Sequence, residues 1–211
     1  MNNENKTLKT LKPVNRALSI ASILLGLYAI VTLIIFNFAD VITIITDEGT
    51  KYAEGFSYPG YQTIFAGFGN MIIQGYSEAG FNIWMCLAMF LPLIGTIVAT
   101  VILITNFSRR GTNKKRAIVE AVVGILLIVG GCILFNVDKM WINAAKSVTG
   151  SYTNYYEVYL LPAINGELFF GKCAYPVYAF VICLIAGIVK LVNCGMLLFQ
   201  KYYARKIKAN A

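Results

Sequence analysis

The amino-acid sequence predicts an all-α membrane protein, a four-helix transmembrane bundle with a small extracellular β-containing cap formed by two long loops. Three observations lead there. Four stretches stay apolar over the roughly 20 residues that a bilayer-crossing helix needs. The 211-residue chain is 58% hydrophobic with mean hydropathy +0.67, too apolar for an ordinary water-soluble domain. Most of its Lys and Arg residues fall in three clusters: Lys6, Lys9, Lys12 and Arg16; Arg109, Arg110, Lys114, Lys115 and Arg116; and Lys201, Arg205, Lys206 and Lys208. Such clusters mark the cytoplasmic ends of spanning helices.

Taken in order, residues 1–16 form a cytoplasmic N-terminus and 17–38 the first spanning helix. Its apolar core is much longer than the ~7–15 residues of a signal-peptide core, and no small-x-small cleavage site follows, so the helix is read as retained. Residues 39–80 form the first extracellular loop, 81–105 the second helix, 106–116 a short cytoplasmic link and 117–137 the third helix. Residues 138–174 form the second extracellular loop, 175–199 the fourth helix and 200–211 a cytoplasmic tail able to continue that helix. This topology implies a multi-pass plasma-membrane protein with both termini inside, and the Lys-, Asn- and Ile-rich composition points to a bacterial source.

Both long loops are too rich in aromatic and β-branched residues for disordered segments. Residues 41–46 (Val-Ile-Thr-Ile-Ile-Thr) have strand chemistry and run into the turn signal Asp47–Glu48–Gly49; residues 155–161 form a second candidate strand stopped by Pro162. Tyr58, Tyr61, Phe65, Trp141, Tyr155, Tyr156 and Tyr159 are the candidate partner-contacting residues of the cap. Trp84, Tyr175 and Tyr178 sit at helix ends, where an interfacial aromatic belt is expected.

The two halves echo one another. Arg16–Ala17–Leu18 opens the first helix and Arg116–Ala117–Ile118 the third; Phe36–Asn37 and Phe135–Asn136 close them. A repeat of this kind would be parallel, related by an axis along the membrane normal. The order of helix, long aromatic loop, helix, short basic link, helix, loop, helix resembles the claudin-type tetraspan arrangement. The first loop has neither the tryptophans nor the cysteine pair of claudins, so paracellular sealing does not follow. Residues 60–67 (Gly-Tyr-Gln-Thr-Ile-Phe-Ala-Gly) are similar to loops in uncharacterised small bacterial membrane proteins, a resemblance that implies no particular activity.

The chain has no histidine, and neither a P-loop nor a Cys-x-x-Cys pair. It is therefore expected not to be an enzyme and to need no metal and no cofactor; Asp47 and Glu48 beside Gly49 read as a solvated turn. The basic charge is accounted for by membrane edges and anionic lipid, without nucleic acid. Of the five cysteines, four fall in helices as packing residues, while Cys132 and Cys173 are both placed near the outer face, where a bond between them is conceivable.

Glu120 and Lys190 are ionisable residues within apolar segments, with Asn193 one turn beyond the lysine. Charges there are costly and often functional. A Glu120–Lys190 pair is within reach; equally, Glu120 can pair with Arg116 one turn away and Lys190 can extend toward the surface. Pro92, Gly95, Thr96 and Thr100 mark a kinkable, closely packed stretch of the second helix; Gly130, Gly131 and Gly187 read as packing positions. The expected function is a binding or structural role through the aromatic cap, toward a membrane or envelope protein or a second copy of the chain. The alternative is a small-solute or ion transporter or channel subunit using Glu120 and Lys190.

Overall fold

The structure, a computed structural model, describes residues 3–45, 55–65, 82–106, 113–146 and 169–209. The elements are α1 (Asn3–Phe36), β1 (Asp40–Ile45), β2 (Gly55–Pro59), α2 (Gly60–Phe65), α3 (Ile83–Asn106), α4 (Asn113–Phe135), α5 (Val137–Lys146), β3 (Phe169–Lys172) and α6 (Ala174–Ala209). Helices α1, α3, α4 and α6 each contain a stretch long and apolar enough to cross a membrane: Lys9–Phe36, Ile83–Thr105, Lys114–Phe135 and Ala174–Lys206. Two of them outrun the apolar cores seen in the sequence. The first basic cluster is part of α1, and the basic tail is part of α6. Aliphatic stems of Lys and Arg favour helix, so nothing at the apolar boundary stops the backbone from continuing.

Burial explains how these helices associate. On α1 a row of buried positions runs through Asn15, Ser19, Ser22, Gly26, Ala29, Leu33 and Phe36, at alternating steps of four and three residues. The same rhythm runs through Met85, Met89, Pro92, Thr96, Ala99 and Leu103 on α3, and through Arg116, Glu120, Val123, Leu127, Gly130 and Leu134 on α4. It recurs through Pro176, Ala179, Cys183, Ala186, Lys190, Asn193 and Leu197 on α6. A 3.5-residue repeat is the seam of left-handed helix packing. Opposite these seams, Leu24, Val31, Ile94, Val101, Ile118, Ile125, Val181 and Val192 are exposed. A water-soluble helix would have the reverse pattern; an apolar outer face around a partly polar interior suits hydrocarbon.

The chain folds as two compact units. One comprises Met1–Val31, Leu91–Gly130 and Val181–Ala211; the other comprises Thr32–Phe90 and Gly131–Phe180. In the first unit, glycines let helices touch. A Cβ on Gly187 would lie 2.6 Å from Ile128 Cγ1 and 2.8 Å from the Gly124 carbonyl oxygen, so α4 and α6 meet backbone to backbone. A Cβ on Gly26 would lie 3.1 Å from Thr100 Oγ1 and 3.4 Å from Lys190 Nζ, which brings α1 against α3 and α6. Near the basic ends of the helices, Asn15 hydrogen-bonds Gln200, and Lys114 lines one cavity with Lys201 and Arg205.

The second unit holds a three-stranded antiparallel sheet in the order β2-β1-β3, with a register shift between Asp40 and Ile42. Strand β1 takes in residues 41–45 of the β-branched run together with Asp40, and Thr46 lies outside the described residues. The strand expected at 155–161 lies outside the described residues, and the second long segment contributes β3 instead. These strands, four to six residues each, are what the described residues contain of β structure. The same segment also carries a helix that the sequence reading took for loop, α5. Its Val137 and Trp141 continue the buried row of α4 past a one-residue break at Asn136.

Asparagines shape the helix ends. Asn37 Nδ2 donates to the Leu33 carbonyl at 3.2 Å, and Asn136 Nδ2 donates to the Cys132 carbonyl at 2.8 Å. The two ends matched in the sequence thus share a capping bond, and then diverge into a strand after α1 and a helix after α4. Asn82 Oδ1 accepts the backbone N–H groups of Trp84 and Met85 as an N-cap of α3, while its Nδ2 donates to the Met140 carbonyl of α5. Lys172 Nζ donates to the Phe135 carbonyl at 3.1 Å and lies 3.4 Å from the Phe135 ring centroid.

The five cysteines are free thiols, so Cys132 and Cys173 are not bonded to each other. Cys132 sits on α4 and Cys173 follows β3, where its N–H bonds the Val41 carbonyl. Burial, and secondarily the Asp40 carboxylate, push the Cys173 thiol above its ordinary pKa. Both effects disfavour the thiolate, so Asp40→Asn is expected to lower that pKa and speed alkylation of Cys173 at pH 8; an unchanged rate would count against the Asp40 contribution.

Gly187→Ala should destabilise the protein by about 1–3 kcal/mol, because its Cβ meets backbone and a branched side chain. Gly195→Ala on the same helix, where a Cβ meets nothing within 4 Å, should cause no loss. Thermal midpoints in a mild detergent compare the two.

Candidate functional site

The polar members of the four buried rows meet in the first unit. Helix α1 supplies Ser19 and Ser22, α3 supplies Thr96 and Thr100, α4 supplies Glu120, and α6 supplies Lys190 and Asn193; all are buried. All but Thr100, which follows Ala99 of the row, are there because their position in the 3.5-residue repeat turns them inward, not because their chemistry favours burial.

Lys190 is 0% exposed and Glu120 1%. Their Nζ and Oε2 atoms are 3.5 Å apart, the same Oε2 accepts the Ser22 hydroxyl at 2.8 Å, and Lys190 Nζ donates to Ser22 Oγ at 3.4 Å. The alternatives left open by the sequence are thereby decided. Lys190 turns into the protein instead of extending toward the surface, and Glu120 forms its ion pair with Lys190, on a neighbouring helix, instead of with Arg116 on its own. Asn193 joins through α1: Ser19 Oγ donates to its Oδ1 at 3.2 Å. With the Asn15–Gln200 bond, α1 and α6 are linked by three polar rungs in antiparallel order, 15 to 200, 19 to 193 and 22 to 190.

Not every polar atom is satisfied by protein. Thr100 Oγ1, Glu120 Oε1 and Asn193 Nδ2 are buried without a hydrogen-bond partner, whereas Thr96 Oγ1 closes on the Pro92 carbonyl of its own helix at 2.6 Å. The arrangement can therefore hold one positive and one negative charge in close contact, with spare donor and acceptor capacity beside them. Among the described residues no three His, Cys, Asp or Glu side chains gather as metal ligands.

Sequence reasoning picked out Glu120, Lys190 and Asn193 and missed Ser19, Ser22, Asn15 and Gln200. The signal was available: Asn15, Ser19 and Ser22 fall at four- and three-residue steps on one face of α1. The aromatic candidates fare differently. Trp141, expected on a partner-contacting surface, is 1% exposed, because α5 turns it inward in line with Leu134 and Val137. Tyr61 is exposed on α2. Tyr58 lies on β2 and Phe65 on α2, with their side chains outside what the structure describes; Tyr155, Tyr156 and Tyr159 lie outside the described residues altogether.

Four long apolar helices with an internal ion pair put the chain in the class of multi-pass membrane proteins. No family model matches it, and no curated protein or solved structure matches it either.

Removing one partner of the pair strands the other charge among apolar neighbours. Lys190→Met and Glu120→Gln should each destabilise the protein by about 3–5 kcal/mol, while Lys190→Met combined with Glu120→Leu should recover most of the loss. Denaturation of the four proteins in mixed micelles measures this. Single variants as stable as the parent would show that the pair carries no structural weight.

Proposed function

We propose that the chain is a non-enzymatic multi-pass membrane protein with a binding or structural role, its core locked by the Glu120–Lys190 pair and its long aromatic segments turned to a partner. The observation that carries this reading is the closure of the ion pair. Both charges are almost entirely buried and paired with each other, and Ser22 bonds both of them. Such a pair specifies which helices meet and in what register. It is a lock, not a path. Positive-inside orientation then puts the basic clusters and both termini in the cytoplasm, with the two long segments, a β-containing cap included, on the outer face of a bacterial plasma membrane.

The partner in this reading is a membrane or envelope protein or a second copy of the chain, engaged by Tyr58, Tyr61, Phe65, Tyr155, Tyr156 and Tyr159. Trp141 drops out of that set because it is buried. Crosslinking in native membranes, followed by identification of the captured protein, tests the proposal. Replacing Tyr61, Tyr155, Tyr156 and Tyr159 together by Ser should abolish capture while leaving the thermal midpoint unchanged; undiminished capture by a folded variant would sink it.

A transporter or channel subunit is the second reading, favoured by the unpartnered Thr100 Oγ1, Glu120 Oε1 and Asn193 Nδ2 beside the charges. Liposome flux separates the two. A lock predicts no proton or small-ion flux above empty liposomes, from the parent protein or from the Lys190→Met, Glu120→Leu variant. A path predicts flux in the parent that the apolar pair abolishes.

A further inference from the structure

The basic start of α4 and the basic end of α6 come together, a feature that topology alone does not require. Lys114, at the start of α4, and Lys201 and Arg205, near the end of α6, line a cavity of about 220 Å³ together with Leu198 and Tyr202. Three cations drawn from two helices face one space. Among the described residues none of the three has a carboxylate partner. Residues that merely retained a helix end on one side of a membrane would repel one another and spread apart.

The chemistry of the walls identifies the ligand class. A guanidinium offers a planar fork that matches two oxygens of a phosphate, and lysine ammoniums add mobile point charges with three donors each. The Tyr202 hydroxyl adds a neutral donor. The remaining wall is apolar. Leu198 in the lining is 46% exposed, and outside the lining Phe199 on α6 and Ile118, one turn beyond Lys114 on α4, are exposed as well. A soluble anion has no use for that surface, whereas a phosphate carried on a lipid would set its head among the cations and its chains along these residues.

We propose that the Lys114–Lys201–Arg205 cavity is a phosphate-binding site whose apolar wall suits the headgroup of an anionic phospholipid. The cavity shares no residue with the ion-pair lock or with the aromatic segments. Basic pockets between spanning helices are suited to this role by their charge and depth.

The test uses the full chain in mixed micelles and compares four probes: phosphatidylglycerol, zwitterionic phosphatidylcholine, inorganic phosphate and glycerol 3-phosphate. Lys201→Gln with Arg205→Gln removes two cavity charges, and Lys9→Gln with Lys12→Gln removes two exposed charges elsewhere in the same basic region. Wild type should bind phosphatidylglycerol at least about tenfold more tightly than phosphatidylcholine, and the cavity variant should lose that preference. The control variant should keep it. Protection by inorganic phosphate or glycerol 3-phosphate, lost in the cavity variant and without any lipid preference, would support the phosphate site and assign it to a soluble ligand. Equal losses in the two variants would overturn the proposal in favour of diffuse surface charge. So would a wild type indifferent to all four probes. Thermal midpoints without ligand establish that the exposed substitutions leave the fold intact, and the wild-type preference stands as a readout that needs no variant.

Discussion

A lysine fully buried among four apolar helices needs its partner inside the protein, and the polar contacts of the first unit are arranged around that fact. Unpaired, a charged side chain at the centre of a spanning helix costs about 2.5–3.5 kcal/mol on insertion. Glu120 brings the opposite charge to 3.5 Å, and Ser22 shares its hydroxyl with both partners. Three helices must be in register for those contacts to form. The ion pair therefore does less to strengthen the association than to exclude other ways of packing apolar helices, which attract one another with little discrimination.

Small residues make that register possible. Gly26 lets α1 lie close against Thr100 of α3, and α4 and α6 approach closely because Gly124 faces Gly187. The polar rungs Asn15–Gln200 and Ser19–Asn193 extend the same antiparallel pairing toward the basic ends of α1 and α6. Lock and basic cavity are thus linked by geometry: the register that pairs Lys190 also determines which residues of α6 stand beside the start of α4.

The second unit shows how one local solution leads to two outcomes. Asn37 and Asn136 each follow a phenylalanine and each bond a carbonyl four residues back. After Asn37 the chain enters β1, rich in β-branched residues; after Asn136 it resumes as α5, whose Val137 and Trp141 extend an existing buried row. Among the described residues, the sequence resemblance of the two halves is expressed at these helix ends, and the elements that follow them differ.

Much of this protein is legible in its residues alone. Four apolar stretches and three basic clusters define four spanning helices, because length and charge act locally and need no partner. The candidate charges Glu120 and Lys190 stand out for the same reason, as do the β-branched residues of β1. Only tertiary packing decided the rest. Whether Glu120 would choose Arg116 or Lys190 depended on which helix faces which, and Ser19 and Ser22 acquire meaning only when α6 lies opposite them. Trp141 looked like a surface aromatic until α5 aligned it with the row of α4. The basic residues at 114, 201 and 205 marked helix ends in the sequence, and became the wall of a cavity once two distant helix ends met. A charge announces itself in one dimension, but its partner is chosen in three.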